Sequence, residues 1–390
     1  MKQGSGRKVA AACIVLGGAL LVCAIYSIGL TNKSATERDY IQYWAAGRLL
    51  VSHANPYSLE AILRIEQTAG LEGQDPKASV SPPVALALLA PLGFVSAKTG
   101  LILWSLAQLG CLACSIWVLW IVLGKPDSRY HLLGFAFAPA LASLQAGQLG
   151  IFMLCGIVLF IFLCDARPFL AGVVLLPCAL KPHLFLPFMA ALLLWTIYKR
   201  KYILIVGFLF TLITSCGLTL LLDHQVWFEY FDLMRSTRLF LIPLPTLSSE
   251  LRFLVAPKAV WLQYLPSMVA SGWAMGYFWT RRERWDWMDQ GLLVLLISLV
   301  CAPYAWLMDE AVLLPAVLAG FYRAMDARRS WVPIAVFGAV ALIELFANLG
   351  ITSWYYMWTT PAWLAWYLYA TRSGIAKGKN ADVAGAVPAG

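Results

Sequence analysis

Apolar stretches long enough to cross a lipid bilayer recur along almost the whole of this 390-residue chain. Each membrane-spanning helix needs about 20 mostly apolar residues, because hydrocarbon offers no hydrogen-bond partners to an exposed backbone. The composition agrees with this pattern, since 61% of the residues are hydrophobic and only 13% are charged. The sequence therefore predicts an all-α integral membrane protein, a polytopic helical bundle rather than a soluble enzyme with one anchor.

The basic residues predict how the spans are oriented. Basic residues before the first span, 9–30, place the N-terminus in the cytoplasm. Segment 82–97 is short and rich in proline, and reading it as a full span would move the later basic clusters YKRK, RRER and DARR to the outside. We therefore interpret it as interfacial or re-entrant. This choice predicts about twelve spans, namely 9–30, 99–124, 130–146, 148–165, 168–181, 183–198, 201–222, 259–280, 288–305, 309–323, 331–350 and 355–372.

The same layout predicts one membrane domain, 1–372, with two large outer loops. The first, 31–98, carries interfacial helices, and the second covers 223–258. The tail, 373–390, is rich in Gly, Ala and Lys and is predicted to be disordered and cytoplasmic. The net charge of +9 follows from the cytoplasmic loops, so no nucleic-acid partner is expected.

Two of the predicted spans, 168–181 and 183–198, are shorter than the hydrocarbon core requires. The turn between them, Lys181 and Pro182, should therefore lie below the outer surface of the membrane. A lysine at that depth costs about 2.5–3.5 kcal/mol on insertion scales, so it normally faces a cavity or a partner charge.

Isolated polar side chains are predicted to meet on the outer side of the bundle. A carboxylate, a lysine, a histidine and arginines in one cavity would suit an anionic headgroup beside a hydroxyl that is deprotonated. The sequence has no nucleotide-binding glycine loop and no zinc-type ligand cluster, so no cofactor or metal site is indicated. The candidates are Asp39, Gln145, Gln148, Lys181, His183, Arg235, Arg238, Tyr304, Trp306, Asp309 and Glu310.

Each candidate also has a purely structural interpretation. Thr36 stands three positions before Asp39, a spacing that resembles a capping box, so Asp39 could simply start a helix. The other structural roles are membrane snorkelling for Lys181, a helix start for His183, dipole compensation for Asp309 and Glu310, and ordinary loop charge for Arg235 and Arg238.

Five blocks of the sequence form a recognisable series. The blocks are RDYIQYWAAGRLLVSHANPY (38–57), SPPVALALLAPLGFV (81–95), AGQLGIF (146–152), FLAGVVLLPCALKPHLFL (169–186) and APYAWLMDEAVLLPA (302–316). They resemble glycosyltransferase family 87, and they occur in the order found in that family. The family belongs to the GT-C superfamily of membrane glycosyltransferases, which use polyprenyl-phosphate sugars. The resemblance implies a GT-C-like fold with a large first extracytoplasmic loop.

The resemblance also implies roles for individual residues. Asp39 and Tyr40 match the acidic-aromatic motif that holds the proposed catalytic carboxylate, and Lys181 matches a Lys-Pro expected near the donor phosphate. The family pattern Pro-Tyr-x-Trp-x-x-Asp is intact from Pro303 to Asp309. The chain departs from the family before its Asn-Pro-Tyr element, where Gly is common and this chain has Ser-His-Ala at 52–54.

The function implied is transfer of a hexosyl unit, most often mannosyl, from a polyprenyl-phosphate sugar to an acceptor hydroxyl. The donor and a lipid or glycan acceptor are the expected partners, within the membrane lipids of the plasma (inner) membrane. Both termini are predicted to be cytoplasmic and the active site extracytoplasmic. The alternatives are arabinofuranosyl transfer by the same mechanism, a polytopic lipid or solute transporter, and an accessory subunit without activity.

Overall fold

The computed structural model describes residues 35–77, 79–236, 244–326, 331–348 and 356–384. Within these ranges every regular element is a helix, which confirms the predicted all-α class for the described part of the chain. The predicted span 9–30 lies outside the described residues. The α-helices are α1 Tyr40–Val51, α2 Leu59–Thr68, α3 Pro83–Leu89, α4 Ala97–Val122, α5 Ala138–Ala146, α6 Gly150–Leu163, α7 Pro168–Val173, α8 Leu186–Tyr198, α9 Tyr202–Leu222, α10 Val226–Ser236, α11 Leu247–Val255, α12 Trp261–Arg281, α13 Leu292–Val300, α14 Leu314–Asp326, α15 Trp331–Asn348 and α16 Thr359–Ala384.

Two of the described helices, α4 and α9, are long and apolar enough to cross a membrane. Their outward faces are apolar as well, since Ile213 is 67% and Leu221 82% exposed on α9. A contiguous apolar surface of this kind is typical of contact with lipid or with another protein. The fold is therefore compatible with a membrane protein, while the count of about twelve spans stays a prediction.

Several predicted spans are interrupted at prolines instead of forming one continuous helix. Span 130–146 consists of a 3₁₀ helix, Tyr130–Ala136, followed by α5, and span 309–323 has the 3₁₀ helix Leu307–Leu313 before α14. Proline lacks a backbone N–H and fixes its own φ, so a helix usually begins close to it. Pro139 and Pro315 stand in the first turn of α5 and α14. These breaks leave turns inside the bundle that can carry polar side chains.

The described residues of the predicted first outer loop pack against the helical bundle. Segment 82–97 forms the seven-residue helix α3 and a 3₁₀ helix, Ala90–Phe94, which together are too short to cross a bilayer. Helix α1 lies against this segment at two facing glycines, where a Cβ on Gly47 would lie 2.3 Å from the carbonyl oxygen of Leu89. This close packing fixes α1, and with it Asp39 at its start.

The last described helix overlaps the segment that is predicted to be the tail. Helix α16 continues to Ala384 and so enters the segment 373–390 that is predicted to be a disordered tail. Alanine and lysine, both common in this segment, are good helix formers, which is consistent with the continuation.

Helices α7 and α9 approach each other through a reciprocal pair of glycines. A Cβ on Gly172 would lie 2.0 Å from the carbonyl oxygen of Leu204, and one on Gly207 would lie 2.0 Å from the carbonyl oxygen of Phe169. We expect Gly172→Ala to lower the free energy of unfolding by about 1–3 kcal/mol, because the backbones must separate. Thermal unfolding of the purified protein in detergent measures this loss.

A matched control for that substitution is available on α9 itself. Gly217 has no heavy atom within 4 Å of an added Cβ, so Gly217→Ala should leave the unfolding midpoint unchanged or raise it slightly. Equal losses from both substitutions would contradict close packing at Gly172.

Candidate active site

A cavity of about 400 Å³ opens between α1, α10, α12 and the turns that precede α6, α8 and α14. Its lining is mostly aromatic and polar, which suits a sugar, since aromatic faces pack on sugar rings and polar groups bind hydroxyls. The polar and aromatic side chains around it are Gln42, Tyr43, Ser81, Gln148, Lys181, His183, Tyr230, Tyr264 and Tyr304.

Glycines bring the turn LQAGQLG into place beside the cavity. Gly147 ends α5 in the left-handed conformation, with φ of 72°, and a Cβ there would lie 2.6 Å from that of Tyr40. Gly150 starts α6, where a Cβ would lie 2.1 Å from the carbonyl oxygen of Met308. The turn therefore lies against both α1 and the 3₁₀ helix before α14, and Gln148 stands between them.

Asp39 belongs to a hydrogen-bonded chain that reaches the cavity wall. Gln148 Nε2 donates to Asp39 Oδ2 at 2.8 Å, and the Tyr43 hydroxyl donates to Gln148 Oε1 at 2.7 Å. Asp39 stands at the start of α1, but its carboxylate makes no capping hydrogen bond to the helix. The carboxylate is therefore oriented by a side chain of the cavity rather than by the helix terminus.

The protonation state of Tyr43 supports this arrangement. Burial, followed by the charges of Asp39 and Asp309, raises the pKa of the Tyr43 phenol well above its usual value. The hydroxyl consequently keeps its proton and acts as the donor, which leaves the amide nitrogen of Gln148 pointing at Asp39.

Lys181 lies in a buried ion pair. Its Nζ is 2.7 Å from Oδ1 of Asp309, whose side chain is 0% exposed. The backbone N–H of Trp306 donates to Oδ2 of the same carboxylate at 3.0 Å, so Asp309 also caps the 3₁₀ helix Leu307–Leu313. Lys181 also lines the cavity and can offer its remaining N–H donors there.

His183 and Tyr304 form the neighbouring part of the wall. Their rings meet edge to face with centroids 5.4 Å apart, and Trp306 Nε1 donates to the Tyr304 hydroxyl at 2.5 Å. Nε2 of His183 is buried and has no hydrogen-bond partner among the described residues. Lysine, imidazole and phenol groups are thus collected at one side of the cavity.

The structure does not bring every sequence candidate to this cavity. Tyr40 is fully buried in the core against Trp104, with ring centroids 6.3 Å apart. Arg235 points outward, its side chain 82% exposed and 3.8 Å from Asp232. Glu310 is buried and accepts a hydrogen bond from the Thr359 hydroxyl. Arg238 lies outside the described residues.

Several side chains of the site are not among those predicted from the sequence. Tyr43 follows Asp39 by one helical turn, a spacing that places two residues on one face of a helix. Gln108, in the apolar α4, donates from Nε2 to the backbone oxygen of Gln148 at 2.6 Å. A single amide in an otherwise apolar span is a signal for an internal partner, and it could have identified Gln108. Tyr230 and Tyr264 reach the cavity only through the tertiary fold.

We expect Tyr43→Phe to reduce the rate of a reaction at this cavity about 2- to 10-fold, the effect of one lost hydrogen bond. Without the phenol, the Gln148 amide can turn and present its oxygen to Asp39. The control is Tyr369→Phe on α16, a partly exposed tyrosine that does not line the cavity. A steady-state rate comparison at saturating substrate checks this, and an unchanged rate for Tyr43→Phe would contradict the orienting role of Gln148.

Comparison with known families identifies the class of protein to which this arrangement belongs. The family model of glycosyltransferase family 87 matches residues 80–310, more than half of the chain. The chain therefore belongs to glycosyltransferase family 87. The matched region contains Gln148, Lys181 and Asp309, whereas Asp39 precedes it. Searches of the curated proteins and of the solved structures found no match.

Proposed function

We propose that this glycosyltransferase moves a hexosyl unit, mannosyl as the first choice, from a polyprenyl-phosphate sugar to the hydroxyl of a lipid or glycan acceptor. The observation that supports this best is the cavity itself, which has Lys181 in its wall and Asp39 hydrogen-bonded to its wall residue Gln148. The ammonium group of Lys181 suits a phosphate, and the carboxylate of Asp39 can accept the proton of a hydroxyl.

The proposed reaction is a single displacement. Asp39 takes the proton from the acceptor hydroxyl, and the acceptor oxygen forms a bond to the anomeric carbon as the bond from that carbon to the phosphate oxygen breaks. The polyprenyl phosphate leaves as a monoester of low basicity, so no general acid is needed. One displacement inverts the anomeric configuration, and a covalent glycosyl-enzyme would contradict it.

The hydrogen bonds at Asp39 suit a general base. Gln148 holds Oδ2, which leaves Oδ1 for the acceptor hydroxyl. The amide donor of Gln148 fixes the orientation of the Asp39 carboxylate beside the cavity wall. A general base in such a position contributes roughly 100- to 10,000-fold to the rate.

Lys181 supplies the positive charge for the leaving phosphate in this proposal. The ammonium group of Lys181 donates to Asp309, and because Lys181 also lines the cavity, its other N–H groups can donate to a phosphate there. Stabilisation of a developing anion by a fixed donor is commonly the largest single contribution to catalysis. Because Arg235 points outward, we assign it no part in the reaction.

The membrane placement is part of the proposal. Helices α4 and α9 are capable of crossing a membrane, and the distribution of basic loops favours cytoplasmic termini with the cavity on the extracytoplasmic side of the plasma membrane. A donor with an isoprenoid tail would then lie in the bilayer with its phosphate at the cavity. Membership of a glycosyltransferase family favours this function over transport.

A donor comparison with purified protein in lipid nanodiscs tests the function. The protein is incubated with acceptor lipid extract and with polyprenyl-phosphate mannose, polyprenyl-phosphate arabinofuranose or a nucleotide-linked mannose, and products are identified by mass spectrometry. We expect a mannosylated lipid only from the first donor. Product from arabinofuranose alone would support the alternative sugar, and product from the nucleotide donor alone would contradict the proposed donor class.

A further inference from the structure

A second, separate cavity of about 710 Å³ lies within the predicted first outer loop, beside the start of α4. Helices α1 and α2, the segment after Phe94 and the first turn of α4 surround it. It shares no lining residue with the candidate active site, although α1 contributes to both. The donor and acceptor chemistry proposed above does not use it.

The charge of this cavity is entirely positive. Arg48 and Lys98 line it, and no carboxylate does. Among the described residues neither cation has an ion-pair partner. Nη1 of Arg48 donates to the carbonyl oxygen of Gly93 at 2.7 Å, which fixes the guanidinium at the wall and leaves its other donors available. Two cations without a counter-charge in one recess suit an anion with several acceptor oxygens.

The remaining walls are apolar and lead onto the surface of α4. Phe94 at the rim is 74% exposed, and Trp44 and Ile65 line the interior. Below Lys98, helical spacing places Ile102, Leu106 and Leu109 in line on the same face of α4, and all three are exposed. The positive recess thus stands at the top of an apolar track on a membrane-capable helix.

We propose that this cavity binds the phosphate of an anionic membrane phospholipid, with its acyl chain along the apolar track of α4. The ligand must combine two groups. A phosphate ester is needed to bind the two cations, and a hydrocarbon chain is needed to lie along the apolar track. Arg48 and Lys98 contact the phosphate oxygens, and Phe94 lies among the neighbouring lipids. This inference is independent of the sugar-transfer reaction.

Such a lipid would contact the helix that carries the proposed base. Trp44, which lines this cavity, and Tyr43, which lines the first, are adjacent on α1, and Asp39 immediately precedes that helix. Trp44 Nε1 donates to the carbonyl oxygen of Val95 at 2.9 Å and ties α1 to the segment above the track. Binding at the second cavity would stabilise this packing in the folded protein.

Native mass spectrometry of the full-length protein in detergent tests the inference with phosphatidylglycerol as the probe and phosphatidylcholine as the zwitterionic comparison. We expect phosphatidylglycerol to bind more tightly, and Lys98→Gln to weaken its binding about fivefold. Lys258→Gln is the matched control, because Lys258 is an exposed lysine of the second outer loop and lines neither cavity. It should leave the affinity unchanged.

A competition experiment shows which phosphate compound the second cavity binds. Inorganic phosphate at the same concentration should not displace phosphatidylglycerol, because it lacks a chain. Displacement by inorganic phosphate would overturn the lipid assignment, and preferential, Lys98-dependent binding of a short polyprenyl phosphate would assign the cavity to the donor instead. Equal affinities for the wild type and Lys98→Gln, with equal unfolding midpoints, would also overturn the proposal.

Discussion

Replacement of Asp39 by Asn is expected to reduce the rate of sugar transfer by roughly 100- to 10,000-fold, the contribution of a positioned general base. Asparagine keeps the size of the side chain and can still accept the hydrogen bond from Gln148 Nε2 through its amide oxygen. It cannot accept the proton of the acceptor hydroxyl. The initial rate of purified variant and wild type at saturating donor measures the effect.

Asp75→Asn is the matched control for this experiment. Asp75 is an exposed carboxylate of the same outer loop and lines neither cavity, so its substitution should not change the rate. Thermal unfolding of all three proteins in detergent excludes a folding defect. A fully active Asp39→Asn would mean that the base lies elsewhere, with Asp309, which pairs with Lys181 of the cavity wall, the next carboxylate to examine, and the role proposed for Asp39 would be lost.

Substitution of Lys181 by Met is expected to affect both stability and catalysis. It leaves Asp309, which is 0% exposed, as a buried carboxylate without its counter-charge, and loss of one partner of a buried pair commonly costs about 3–5 kcal/mol. The proposed leaving phosphate also loses its stabilising cation, so the transfer rate should fall even where the protein remains folded.

A double-mutant cycle separates the two effects of Lys181. Lys181→Met combined with Asp309→Asn removes both charges, so we expect stability to recover substantially while sugar transfer stays lost. Lys181→Arg keeps a cation and should retain more activity than Lys181→Met. A double variant with normal transfer would show that the ion pair is structural only and would contradict the proposed contact with the donor phosphate.

The environment of Lys181 could be predicted from the sequence. A lysine between two short apolar spans must find a partner charge or a cavity, and in the structure Lys181 has Asp309 as its partner and also lines the cavity. The sequence could not show which carboxylate would be the partner, because the two residues are far apart in the chain and their contact depends on how the helices pack.

Other features of the site depend on tertiary packing, which a local sequence pattern does not predict. The role of Gln148 follows from its contacts with Asp39 and Tyr43 at the start of α1 and with Gln108 in α4, which are brought together only by the tertiary fold. Arg235, by contrast, is indistinguishable in sequence from a substrate-binding arginine, and only the fold shows that α10 turns it outward while Tyr230 faces the cavity.

The fold, like the site, could be predicted from the sequence only in part. The length and recurrence of the apolar runs predicted membrane helices, and the described part of the chain is all-helical. The prolines that divide spans such as 130–146 into a 3₁₀ and an α segment lie within runs of unbroken apolar character, so a hydropathy pattern does not resolve these breaks. The breaks matter because Asp309 and Lys181 both lie at such non-α turns.

The most direct test of the account is a structure of the protein with a non-reactive phosphonate analogue of polyprenyl-phosphate mannose, determined by electron cryo-microscopy in a nanodisc. We predict that the phosphonate binds in the first cavity within hydrogen-bond distance of Lys181 Nζ, with the anomeric carbon facing Asp39. A phosphonate bound away from Lys181, or a sugar whose anomeric carbon faces away from Asp39, would contradict the proposed site and mechanism.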